Sequence, residues 1–365
     1  MVSQIRMENE MTNSSSQSDF RRYLKVLQHD GRPDRVPLVE FYVDPGFLAR
    51  FLGEEPVGAQ DRTAHWRQRV RFFEQAGFDF VPVAVPLGLA KAPAVGADGK
   101  STGWVSEGRG PISSMSEFDA HPWPKPEEID FSDFEMVARL LPDGMGLVAT
   151  IDGIFENTRE IMGFETMAIG LYESPDLIRA VADRIGALLL AVHRHVAELP
   201  GVGAIHNGDD MSYKAAPMIS IEHMRQYFLP WLRKFVDNAH AHGLPYTLHS
   251  DGDNHALMPD LLDMGIDGKH AFEDAAGGGV TEFVKRYGGR MAALGGVDMD
   301  ILARATPDRV RQRVGELISE CGRDGGFALG AGNSLADYIP IENYRALLEA
   351  RRRSGLECGG PEGIH

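Results

Sequence analysis

Short apolar runs alternate along this chain with longer stretches whose apolar positions recur every three to four residues. The runs cover residues 35–43, 78–86, 146–153, 202–210, 244–252, 266–273, 291–298 and 327–333. Each carries β-branched or aromatic residues and is bounded by Gly, Pro or Asp, as strands buried on both faces are. Between them lie helical patterns, and a β-then-α rhythm implies a parallel sheet. Eight such units predict a (β/α)8 TIM barrel, an α/β fold.

The helices carry start and stop signals. Ser174-Pro175-Asp176 offers a cap, a first-turn proline and an early acid. The apolar stripe Leu177, Val181, Ile185, Leu188, Leu189, Val192 and Val196 follows it. Thr306-Pro307-Asp308 opens another helix, with Val310, Val314, Leu317 and Cys321 on one face, so Cys321 reads as a core thiol. A third helix follows Ser220 and ends at Gly243, with Pro230 inside it predicting a bend.

Residues 88–143 form an inserted excursion after the second strand, expected to lie over the barrel mouth. Ala97-Asp98-Gly99-Lys100 reads as a hairpin turn within it, and the proline-rich 121–126 excludes helix and inner strand there. Residues 1–18 are polar and Ser/Asn-rich and residues 355–365, with Cys358, are Gly-rich. Both predict disordered tails around one barrel domain over 19–354.

Composition narrows the partners. The chain has 365 residues, 43% of them hydrophobic, and a formal net charge of -16. So acidic a surface repels phosphate backbones and anionic lipid, which argues against nucleic acid and membrane partners. No apolar run approaches the roughly 20 residues of a membrane helix. The first residues hold no apolar leader-like run, and two cysteines make no disulfide framework. A cytoplasmic location is expected.

In a (β/α)8 barrel the chemistry sits at the C-terminal ends of the strands. Those ends are polar here: Glu40 and Tyr42, then Asp152, then His206 with Asp209 and Asp210, then His249-Ser250-Asp251, then His270 and Glu273, Asp298 and Asn333. Any one acid there can simply cap the next helix. The whole set on one mouth would be costly without a shared proton or cation. His249 and Asp251 are two apart at a strand end and share a face, so one cation could reach both; a free site histidine fits the sequence as well. The pairs His193/His195 and His240/His242 fall on helices at a spacing that turns them apart, which makes them structural or surface residues.

The ordered pieces Gly208-Asp209-Asp210, Pro217-Met218-Ile219-Ser220, Phe228-Leu229-Pro230, His249-Ser250-Asp251-Gly252-Asp253, Asp263-Met264-Gly265-Ile266-Asp267, Gly295-Gly296-Val297-Asp298 and Ile341-Glu342-Asn343-Tyr344 resemble the uroporphyrinogen decarboxylase superfamily. The resemblance covers roughly residues 35–352. It implies a barrel and one of two activities, decarboxylation or corrinoid-linked methyl transfer. True decarboxylases of that superfamily carry an N-terminal segment whose arginines hold substrate carboxylates. The matching region here reads Pro37-Leu38-Val39-Glu40-Phe41-Tyr42, with an acid and no arginine. The methyltransferases hold zinc through a His-x-Cys pair and a later Cys. Here those positions read His249-Ser250-Asp251 and Asn333.

The resemblance therefore implies methyl transfer between a small O- or N-methylated compound and a corrinoid supplied by a separate protein, with zinc at His249 and Asp251 as the implied metal. Asp209, Asp210, His249, Glu273 and Asp298 are the expected catalytic residues. Glu40, Tyr42, Asp152, His206 and Asn333 are the expected substrate contacts. The alternatives are a lyase acting on a porphyrinogen or a smaller carboxylated compound, and a non-catalytic ligand-binding barrel.

Overall fold

A computed structural model of the chain describes residues 17–90 and 108–357, with side chains as far as residue 354. The expected hairpin turn at 97–100, Cys358 and nearly all of both expected tails lie outside the described residues.

Seven strands belong to one parallel sheet: β1 (Phe80–Ala84), β2 (Gly146–Asp152), β3 (Val202–Gly208), β6 (Tyr246–His249), β7 (Gly268–His270), β8 (Ala292–Leu294) and β9 (Phe327–Ala328). They fall inside seven of the eight expected runs. The two remaining strands, β4 (Ser212–Tyr213) and β5 (Ala216–Pro217), form a small antiparallel hairpin that the apolar pattern did not announce.

The eighth expected run, 35–43, is not a regular strand. It pairs only through the bridges Leu38↔Leu329 and Val43↔Leu335, both parallel. Pro37 has no N–H to give, and its carbonyl accepts from Leu329 N at 2.9 Å. Further along, the Glu40 side chain takes the Ala331 N–H, so a carboxylate bond stands where a backbone ladder would run. The runs at 266–273, 291–298 and 327–333 shorten to two or three paired residues. Gly295 and Gly296 both have positive φ, which ends β8.

The described chain divides into two compact units, each discontinuous in sequence. One comprises the residues up to Val83, Asp133–Val148 and those from Asp267 onward; the other comprises Ala84–Ser132 and Ala149–Ile266. In the first unit, β7 pairs β8 with Gly268 opposite Ala292, and β8 pairs β9 with Leu294 opposite Ala328. Its core includes Phe47, Phe72, Phe73, Phe78 and Tyr344, with edge-to-face pairs such as Phe73–Phe78 at 4.9 Å. In the second unit, β3 pairs β6 from Ile205 opposite Tyr246 to Gly208 opposite His249.

The helices follow their signals, with two adjustments. The helix Pro175–Glu198 buries all seven stripe residues, although the Ser174 side chain makes no capping bond. In Pro307–Cys321, Thr306 does accept from Arg309 N, and Cys321 is buried. Burial pushes the Cys321 thiol up to about 11, as befits a core thiol. The stretch after Ser220 breaks into Ile221–His223, a π turn Met224–Phe228 and Leu229–Ala241. The π turn falls where Pro230 removes a ladder donor, so the expected bend takes this form. The last helix, Ile341–Glu357, runs three residues into the expected C-terminal tail. No helix among the described residues is long and apolar enough to cross a membrane.

His193 shows how a polar residue settles in this core. It is fully buried, its Nδ1 lies 2.7 Å from Leu189 O, and its ring stacks on Phe235 at 4.4 Å between centroids. Burial pulls its pKa down to about 4. The unfolded chain therefore binds this proton at higher pH than the native one, so stability is full above about 6.5 and falls as pH drops toward 4. His193→Gln should flatten this acid limb by about 3 kcal/mol between pH 7 and 4. Urea midpoints across that range will check it; parallel curves for the two proteins would contradict it.

Candidate functional site

The register of β3 against β6 places the polar ends of these two strands side by side. Asp209 N donates to His249 O at 2.9 Å, and Asp251 N donates to Asp210 Oδ1 at 2.9 Å. His249 is nearly buried, and its Nε2 lies 3.4 Å from Asp210 Oδ1 and 3.6 Å from Asp251 Oδ1. One ligand atom from each of Asp210, His249 and Asp251 lies within 4.8 Å of the others. His206 lies one strand over, its ring centroid 6.3 Å from that of His249 and its Nδ1 2.8 Å from Thr247 Oγ1.

The loop that carries Asp251 is held from several sides. Asn254 Nδ2 donates to the carbonyls of Ser250, Asp251 and Gly252, and Asn254 Oδ1 accepts from Ser250 Oγ at 3.0 Å and Ser212 Oγ at 3.1 Å. Ser250 Oγ also accepts from Met211 N. Gly252 has φ +76, and a Cβ there would stand 2.3 Å from Tyr213 O. Asp253 N donates to the same carbonyl. The β4–β5 hairpin thus braces the loop through close backbone approach.

Asp209 and Asp210 are neighbours in sequence with opposite roles. Asp209 is fully buried, and its carboxylate accepts from Phe155 N at 3.2 Å and Glu156 N at 2.8 Å, at the start of the helix Ile154–Met162. It caps that helix from the adjacent strand. Burial raises its pKa to about 7, against the pull of those two N–H groups. Burial works to raise Asp210 as well. There the His249 imidazole beside it, the Asp251 N–H and Arg159 outweigh it, and the carboxyl falls to about 2. Asp210 is therefore ionised at neutral pH and cannot hold a proton to donate.

Two side chains unremarked in the sequence complete this cluster. Glu156 is raised well above its ordinary value by burial and then by the charge of Asp210, with Arg159 opposing. Arg159 is buried, its Nη2 3.2 Å from Glu156 Oε1. In the sequence an acid and an arginine three apart read as a surface helix pair. Their one distinguishing signal is that they open the helix directly after β2.

Of the other expected residues, Glu40, Asp298 and Asn333 accept hydrogen bonds from backbone N–H groups. Glu40 is buried, accepts from Ala331 N at 2.8 Å, and lies 3.5 Å from Tyr344 Oη; burial raises it well above the carboxylate range. Asp298 caps Met299–Arg304 through Asp300 N and also accepts from Asp274 N. Asn333 Oδ1 accepts from Ser334 N. Tyr42 and Glu273 are half-buried, and the Tyr42 carbonyl accepts from Leu335 N. Asp152 is exposed at the end of β2.

Gly153 shows why the Asp209 bond is possible. A Cβ on Gly153 would come within 2.1 Å of the Asp209 side chain. Asp209→Asn should keep one of the two capping bonds and remove a buried charge. A raised native pKa means the folded chain holds its proton between about 3.8 and 7, so the Asp209 contribution to stability shrinks as pH rises through that window. Asp209→Asn should therefore destabilise more at pH 5 than at pH 8, by up to about 2.5 kcal/mol. Thermal or urea unfolding at the two pH values will show it; an equal loss at both would contradict the assignment.

Comparison with known proteins now bears on this geometry. The family model described as uroporphyrinogen decarboxylase (URO-D) matches residues 109–354. A curated uroporphyrinogen decarboxylase from Magnetococcus marinus is 25% identical over 196 residues; the match spans 51% of this chain and only 51% of that protein. Among solved structures, a methyltransferase from Methanosarcina mazei superposes with a TM-score of 0.67 at 15% identity, covering 93% of this chain and 99% of that one. That likeness shows the fold, the α/β barrel expected from the strand and helix rhythm. The chain belongs to the uroporphyrinogen decarboxylase family.

Proposed function

We propose that this chain is a methyltransferase that moves a methyl group between a small O- or N-methylated compound and a corrinoid carried by a separate protein. The observation that carries the reading is the spacing of Asp210, His249 and Asp251. At 3.4 and 3.6 Å, the His249 Nε2 contacts are long for hydrogen bonds. Two donors on bonds of about 2.1 Å at a tetrahedral angle stand about 3.4 Å apart, which is the spacing seen. One imidazole nitrogen and two carboxylate oxygens suit zinc or a similar divalent cation. The likeness to the Methanosarcina mazei protein, itself a methyltransferase, agrees with this reading.

A methyl group on oxygen or nitrogen has a poor leaving group, which needs a proton or a Lewis acid as the bond to carbon breaks. Zinc bound at this cluster would supply the Lewis acid. The chain's residues supply the rest. Asp210, ionised at neutral pH, is ready to bind a cation without first losing a proton. The Asn254 bonds hold the 250–252 backbone and so fix where Asp251 stands. Asp209 secures the helix that brings Glu156 and Arg159 to the cluster. With no thiolate in the donor set, oxygen- or nitrogen-bound methyl groups suit this centre better than sulfur-bound ones.

The test is reconstitution with a corrinoid protein and a panel of methylated compounds, read by the absorbance change of the corrinoid on methylation. His249→Ala and Asp251→Asn should lower the rate by about 10² to 10⁴ while leaving melting nearly unchanged. Full rates in both variants would place the reaction elsewhere. Release of carbon dioxide from a carboxylated compound, without methyl transfer, would instead favour the lyase.

A further inference from the structure

Arg159 is a guanidinium taken out of water without a full set of acceptors. Its side chain is 3% exposed. Its Nη2 has Glu156 Oε1 at 3.2 Å, while its Nη1 meets only the Met218 thioether sulfur at 3.3 Å. Its Nε meets no acceptor among the described residues. A guanidinium offers five N–H donors in a planar fork and cannot shed its charge, and a thioether is a weak acceptor. Leaving such a group half-satisfied away from water is unfavourable.

Its ionic partner among the described residues is unlike it. Glu156 is 26% exposed at the side chain, so it can swing toward solvent while Arg159 stays where it is. Met218 is only partly buried and follows the β4–β5 hairpin, so the thioether too can give way. Arg159 also stands beside the cluster: its charge is felt at both Asp209 and Asp210.

We propose that Arg159 anchors the substrate through a carboxylate, and that Glu156 and Met218 hold its place until substrate binds. The substrate class is then a methylated carboxylic acid. Its carboxylate pairs side-on with the guanidinium fork, taking the Glu156 contact and the idle Nε. The incoming carboxylate takes the place of the Glu156 side chain at the fork, and the guanidinium charge is what lets an anion enter a cluster already rich in acids. The substrate class rests on the cluster being the reacting centre, but its binding can be measured with no turnover.

The experiment is calorimetric titration of the full-length protein with 4-methoxybenzoate, N,N-dimethylglycine and anisole. At least one of the two carboxylates should bind, and anisole should bind at least about tenfold more weakly. Arg159→Gln should weaken carboxylate binding by about tenfold or more, with Arg159→Lys in between because it keeps charge but loses the fork. Glu156→Gln should tighten binding, since the competing place-holder is weakened; a purely structural ion pair predicts no gain. Should Arg159→Gln fail to fold, Arg159→Lys and Glu156→Gln decide. Equal binding of anisole and 4-methoxybenzoate, no binding by either carboxylate, or tightening absent in Glu156→Gln would each overturn the proposal. Carboxylate binding that obeys these rules without methyl transfer would leave the anchor standing and refute only the methyltransferase reading.

Discussion

The parallel register of β3 on β6 is the constraint on which the candidate site depends. With Gly208 opposite His249, Asp209 bonds the His249 carbonyl and Asp210 takes the Asp251 N–H. A slip of one residue would turn every side chain of one strand to the other face. Asp210 would then leave His249, and Asp209 would lose the helix it caps. The register is secured by what surrounds it: the apolar residues Ala204, Ile205, Tyr246 and Leu248 are all buried on these two strands. Burying each of the larger ones contributes about 1.5–3 kcal/mol. Scaffold and chemistry are thus set by the same pairing.

Electrostatics then divides labour among carboxylates that sit close together. Asp209 is fully buried, and its burial outweighs two N–H groups and the Arg159 charge, so it rises to about 7. Asp210, one residue on, gains an imidazole, a backbone N–H and a guanidinium, and drops to about 2. The chain makes a helix cap of one aspartate and keeps the next ionised by changing what faces each. Glu156 and Arg159 lie on the helix that Asp209 caps, so the cap determines where the guanidinium stands.

Much of this was legible in the sequence because it is periodic or local. Strand runs bounded by Gly, Pro and Asp located seven strands, and the stripe from Leu177 to Val196 located a long buried helix. His249 and Asp251 stood out as two residues apart at an expected strand end, although β6 closes at His249 and Asp251 lies in the loop beyond it. What the sequence hid depends on tertiary contact. The sequence does not show that Glu40 is buried and accepts from Ala331 N, a bond 291 residues away in the chain. Nor does it show that Asp298 and Asn333 accept from nearby backbone N–H groups. Glu156 and Arg159 were indistinguishable from a surface pair until the helix start was seen fastened to Asp209. The run at 35–43 has the composition of a strand, yet Pro37 and the Glu40 side chain reduce it to isolated bridges.

The central claim is that Asp210, His249 and Asp251 form a cation centre. Anomalous diffraction at the zinc edge, from crystals grown with equimolar zinc and no chelator, tests it directly. The account predicts one peak at about 2.0–2.2 Å from His249 Nε2 and from an oxygen of each aspartate. A crystal with no peak at this cluster, or with zinc held by other side chains, would contradict it.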